Sequence, residues 1–183
     1  MRELFDKDEL WDKAMSVGSE PMVYLHWTAG WYGQGFEDYH ICIDADGSYE
    51  LMTDSLADTL AHTWGRNTGS IGIALECCVG AKVVDVAGEH FTRLGDNPPT
   101  DSQIETMCQI CAKICEKLAI PIENVMTHAE AAEEDGYGID SDDPDCRWDL
   151  AVLHEDDAWG TGGNEIRRRI HEIMGRDKSL LHE

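Results

Sequence analysis

The chain has 183 residues, with 37 acidic against 14 basic side chains and a formal net charge of −23. That length suits one domain and buries roughly 70% of the unfolded surface without disulfide staples. With 42% hydrophobic residues and six Trp it is no disordered acidic tail. The acid excess excludes a generic nucleic-acid binder, which needs clustered Lys and Arg.

In chain order, Leu4, Phe5, Leu10, Trp11 and Ala14 among charges predict an amphipathic helix over 3–15, an extension over residues 1–20 ahead of the main domain, 21–183. Residues 21–27 read as a strand, and 28–35, rich in Gly and aromatics, as a loop. Residues 39–43 and 48–52 flank Asp44-Ala45-Asp46-Gly47, a hairpin signal. The apolar run 70–76 predicts a buried central strand, and 79–99 a long loop. Thr100 with Gln103 forms a capping-box pattern that opens a helix over 101–118, stopped by Pro121. A short strand over 124–127, a long acidic loop over 129–146, a helical turn over 148–153 and a last helix over 164–174 complete the chain. Strands mixed with helices predict a single α/β domain: a central mixed β-sheet flanked by helices.

Seven Cys is an odd number; Cys108, Cys111 and Cys115 share one helical face and read as small, buried, reduced residues. No apolar run is long enough to span a bilayer, so no membrane is expected. Met1–Glu9 lacks the apolar core of a signal peptide, which predicts synthesis in the cytoplasm.

Two histidines stand where a strand runs into a loop. His26 ends Val23-Tyr24-Leu25, and His128 ends Val125-Met126-Thr127. Strands sharing a sheet would bring both imidazoles to one rim, and an Asp-rich loop follows the second. A catalytic zinc takes three protein ligands from His, Asp, Glu or Cys and keeps a position for water.

Around these residues, Val23-Tyr24-Leu25-His26-Trp27-Thr28-Ala29 resembles the first ligand strand of the zinc-dependent N-acetylmuramoyl-L-alanine amidases. That superfamily includes phage lysozymes of the amidase type and peptidoglycan recognition proteins. Tyr39–Gly47 is similar to its hairpin, and His62 with Ser70–Leu75 to its substrate-groove strand. Pro99–Ile104 is similar to its long helix, Thr127–Glu130 to its second ligand motif and Asp143–Leu150 to its third. The six motifs run in order from about residue 21 to 153.

The resemblance implies a zinc ion held by His26, His128 and Asp143, with Cys146 the next candidate and Asp145 and Asp149 behind it. It implies catalytic assistance from Tyr39, which would donate a hydrogen bond to the developing oxyanion. Glu130 would steady a ligand imidazole, and Arg147 would supply positive charge. Trp27, Trp31, His62 and Trp64 would bind substrate along a groove. The implied activity is hydrolysis of the amide between N-acetylmuramic acid and L-Ala of peptidoglycan, by a phage or prophage lysin or a cell-wall-targeting effector. Such a chain would reach the wall after lysis-coupled release or specialised secretion. The alternatives are a non-catalytic peptidoglycan-binding module and a calcium-binding interaction protein built on Asp140–Asp145. Twelve acids lie between Glu130 and Asp157 with Arg147 their only base, a rim that suits a basic protein partner.

Overall fold

The computed structural model describes residues 21–180, with side chains described to residue 175; the expected helix over 3–15 lies outside the described residues. Its centre is set by two apolar strands, β1 (Met22–Trp27) and β4 (Ser70–Leu75), buried along almost their whole length. Burial on both faces is the mark of inner, parallel strands. They pair in parallel, with His26 opposite Ala74.

On the far side of β4 lies β2 (Ile41–Ile43), whose antiparallel partner β3 (Tyr49–Leu51) closes the expected hairpin. On the far side of β1 lies β7 (Val125–Thr127), parallel to it, with Leu25 opposite Thr127. The sheet order is therefore β3-β2-β4-β1-β7. One residue past the Leu25–Thr127 pair stand His26 and His128. The register of two parallel strands thus delivers both imidazoles to the same rim, at the carboxyl ends of the strands, where open α/β sheets place their ligands.

Alternation divides the side chains of β1. Val23, Leu25 and Trp27 join Ile71, Ile73 and Leu75 of β4 in the apolar core. That core is completed by helices α1 (Asp101–Leu118) and α3 (Gly162–Leu180). Tyr24 and His26 face the other way. The capping box of α1 forms as expected: Thr100 Oγ1 accepts from Gln103 N–H, and Gln103 Oε1 accepts from Thr100 N–H. Ile104, Met107, Cys108, Cys111, Ile114 and Cys115 of α1 are buried, and all seven cysteines are free thiols.

The structure corrects three of the expected segments. The loop over 79–99 contains a hairpin, β5 (Lys82–Val86) with β6 (Glu89–Arg93), turning at Ala87-Gly88 where both residues take positive φ. Valines at 83, 84 and 86 ahead of a Gly turn are its signal. The acidic loop after residue 128 begins as a helix, α2 (His128–Asp135), opened by a second capping box, Thr127 with Glu130, and closed by left-handed Gly136. Residues 148–153 form no helical turn, because Leu150 takes φ +59° and breaks the helical path. The last helix is also longer than its periodicity predicted. Among the described residues no helix is long and apolar enough to cross a membrane.

Candidate metal centre

Three atoms able to ligate a metal meet at the carboxyl ends of β1 and β7. His26 Nδ1 lies 3.0 Å from His128 Nδ1. Asp149 Oδ2 lies 3.4 Å from the first and 3.2 Å from the second. All three residues are buried. A tetrahedral ion with ligand bonds of about 2.0–2.1 Å spaces its ligand atoms about 3.3 Å apart. The near-equilateral triangle has that dimension, and two imidazoles with a carboxylate are a donor set suited to a divalent first-row metal.

Each corner is fixed by its own piece of chain. His26 is held by strand pairing. His128 is the first residue of α2, directly after the cap residue Thr127. Asp149 is anchored through its backbone, since its carbonyl accepts from Ala129 N–H. The following Leu150 is buried at positive φ, and a Cβ on Gly162 would collide with the Leu150 carbonyl oxygen. Gly162 at the start of α3 therefore permits the close approach that seats Asp149.

Burial governs the charge states. It pushes His26 down to about 4, with Asp149 opposing and the neighbouring His128 reinforcing the fall. It works to raise Asp149 as well, but His128 and His26 outweigh it and hold the carboxyl well below its usual range. His62 is pushed down to about 2, by burial first and then by the imidazoles of His26, His40 and His128. Burial, with Asp149 nearby, raises the Tyr39 phenol, so it remains a donor.

A cavity of about 500 Å³ opens on this centre, lined among others by Trp27, Ala29, Tyr39, His62, Arg147 and Asp149. A second, of about 650 Å³, is lined by Trp64, Tyr137, Asp143 and Asp145. Both share His62, His128 and Arg147, so the two form one cleft passing the centre.

Not every expected site residue joins the triangle. The carboxylate brought to the two imidazoles is that of Asp149; Asp143 is exposed on the wall of the second cavity, where its Oδ1 accepts from Asp145 N–H. Cys146 lines the first cavity. Glu130 is spent elsewhere: its carboxylate accepts from Thr127 N–H and is gripped by both Nη atoms of Arg167. It ties α2 to α3, and reaches His128 only through the helix cap. Tyr39 stacks at a tilt on His26, 5.1 Å between ring centroids. Arg147 is exposed and borders both cavities. Trp27 is buried edge-on against Trp148, whereas Trp31 and Trp64 are 57% and 77% exposed. His40 is structural: its Nδ1 accepts from Gly72 N–H and its Nε2 donates to the Asp58 carbonyl.

Sequence reasoning placed Asp149, together with Asp145, behind Asp143 and Cys146, and missed Thr63, which hydrogen-bonds both His26 and His62. A signal for Asp149 exists: it sits within the otherwise apolar run Trp148 to Leu153, whereas Asp143 sits among acids. An acid inside an apolar run is carried into the interior with it.

The sequence profile of one family, N-acetylmuramoyl-L-alanine amidase, matches residues 18–146. No curated protein matches the chain. Among solved structures, the N-acetylmuramyl-L-alanine amidase AmiD from E. coli is similar at 20% identity and TM-score 0.49, over 68% of this chain and 52% of that one. This chain thus spans about half of AmiD's length. The endolysin amidase LysCS from Clostridium intestinale is similar at 15% identity and TM-score 0.47, over 85% and 86% of the two chains. Drosophila peptidoglycan recognition protein SA is similar at 17% identity and TM-score 0.43, over 61% and 70%.

Proposed function

This chain belongs to the N-acetylmuramoyl-L-alanine amidase family, and from that premise we propose that it is a zinc-dependent peptidoglycan hydrolase. It cleaves the amide between the lactyl group of N-acetylmuramic acid and L-Ala, with zinc held by His26, His128 and Asp149. The observation that carries this reading is the triangle of ligating atoms, 3.0 to 3.4 Å on a side, opening on the cleft. Bound there, zinc supplies Lewis-acid polarisation of the scissile carbonyl and a water whose pKa falls to about 7.

The residues of the chain do the rest. Tyr39, half-buried, protonated and on the cavity wall, donates to the carbonyl oxygen as negative charge develops. Arg147, bordering both cavities, adds positive charge at the same place. Trp64 offers an exposed aromatic face along the cleft for the substrate. Asp149, as an anion, would offset part of the charge of a bound cation. Glu130 keeps His128 in place by holding the start of α2.

Against a silent binding module stands the gathering of His26, His128 and Asp149, which wall binding alone does not require. The calcium reading has less support: among the described residues Asp140–Asp145 gather into no metal-binding cluster, and Asp140 instead pairs with His90 at 3.0 Å. Peptidoglycan is the partner this reading requires, and the acidic rim favours a wall poor in anionic polymers, or a basic protein. The test is release of L-Ala-led stem peptides from purified peptidoglycan by the wild type, His26→Ala and Asp149→Ala. Both variants should lose activity to background; activity surviving in both overturns the metal mechanism. Stoichiometric zinc and tight wall binding without peptide release would establish the module instead.

A further inference from the structure

We propose that Thr63 and His62 form a hydrogen-bonded relay that fixes the tautomer of His26, so that its Nδ1 offers a lone pair to the cation site. The proposal rests on the metal reading above, though not on the identity of the substrate. Thr63 is then a positioning residue: it acts on the centre through His26.

Proton counting fixes every direction in this relay, beginning at its far end. Ser70 Oγ lies 2.8 Å from the Arg66 carbonyl oxygen and 3.0 Å from that of Asn67. Carbonyl oxygens only accept, and a hydroxyl has one proton, so Ser70 donates to them. Its contact with His62 Nε2, at 3.3 Å, must therefore be one in which Ser70 accepts. That puts the proton of His62 on Nε2. The ring is enclosed, with other imidazoles around it, and is neutral, so its Nδ1 is bare. Thr63 Oγ1, 2.9 Å away, donates its one proton there. What remains to Thr63 is to accept, from His26 Nε2 at 3.3 Å. His26 is consequently protonated on Nε2 and bare on Nδ1, the atom that faces His128 and Asp149.

The fold has made room for this relay. A Cβ at residue 72 would fall 2.6 Å from His62 Cγ, so glycine in β4 is what lets the ring of His62 lie against the sheet. Ala74, opposite His26, is likewise small. His62 and Thr63 are both buried, and both ring nitrogens of His62 are committed within the protein. Expected as a substrate contact, His62 has no nitrogen left for one; its ring only walls the cleft. The relay matters because an imidazole free to change tautomer would spend part of its time with a proton on the ligating nitrogen. Outer hydrogen-bond partners of metal-binding histidines typically contribute about 10–100-fold in affinity.

The test uses the whole chain and two readouts that need no substrate. In the metal-free wild type, imidazole ¹⁵N shifts should report His26 and His62 both as Nε2–H tautomers. Finding Nδ1–H on His26 overturns the proposal without any variant. Thr63→Val, which keeps the shape and removes the hydroxyl, should bind zinc about 10–100-fold more weakly in competition with a chromogenic chelator. His26 in that variant should populate both tautomers. Thr63→Ser should restore affinity and tautomer; Ser70→Ala should weaken zinc binding by a few-fold, through His62. A Thr63→Val protein that binds zinc within twofold of wild type, with His26 unchanged, also overturns it. Wild type that binds zinc yet releases no stem peptide would refute the hydrolase reading and leave the relay standing.

Discussion

The chain presents its carboxylates in two settings within a few residues of each other. Asp149 is buried among Trp148, Leu150 and two imidazoles; Asp143 and Asp145 are exposed in a segment crowded with other acids. Only the first is positioned to hold a cation. The contrast teaches that number of acids does not make a metal site. An exposed carboxylate is already solvated by water and gains little by binding, whereas a buried one has lost that water and needs a positive partner. A neutral His26 brings it no charge, and a metal ion would supply one.

The sharpest way to break this comparison is to neutralise one carboxylate of each kind. Asp149→Asn should reduce zinc affinity beyond the roughly 10–100-fold that outer partners contribute, while Asp143→Asn should leave it within about twofold, since an exposed acid is worth little. Equilibrium dialysis with zinc analysis measures both, and a larger loss in Asp143→Asn would reverse the ligand assignment.

Acid should act on the buried setting next. Burial pushes His26 in the folded chain down to about 4 from its ordinary 6.5, so between those values the unfolded chain binds more protons. Stability of the metal-free protein is therefore fully present above pH 6.5 and falls as pH drops towards about 4. A shift of that size corresponds to about 3 kcal/mol at most. Thermal melts at pH 7 and pH 4.5 check this, and a metal-free protein equally stable at both would show that His26 is charged when folded.

The smallest expected effect lies at the rim. Trp64→Ala removes an exposed aromatic face, so it should raise KM by about 3–10-fold, in line with a loss of about 0.5–1.5 kcal/mol. Its melting temperature should stay unchanged. Unaltered KM would remove Trp64 from the substrate surface.

Much of the centre was legible because short-range signals specify it. The run Val23–His26 is a strand by composition, and the capping box at Thr100 and Gln103 marks the start of its helix to the residue. The second capping box, Thr127 with Glu130, was equally present in the sequence, but the acids that follow it read as loop. Once that helix is recognised, the path to the carboxylate beside the two histidines changes. Residues 128–135 are taken up by two turns of helix, and the chain returns to the centre only at residue 149.

The sequence by itself picked out the two histidines, since each stands at the carboxyl end of a locally encoded strand. Only the tertiary structure decided that they touch, through the Leu25–Thr127 register. It also decided that Asp149 is the carboxylate brought to them. That carboxylate stands on irregular chain, where spacing has no period to read. Its position comes from contacts distant in sequence: the Ala129 N–H on its carbonyl, and the start of α3 closing over Leu150 at a glycine. Periodic backbone hydrogen bonding writes strands and helices into local sequence; the packing that aims a loop carboxylate is shared among residues far apart, and only the folded chain brings them together.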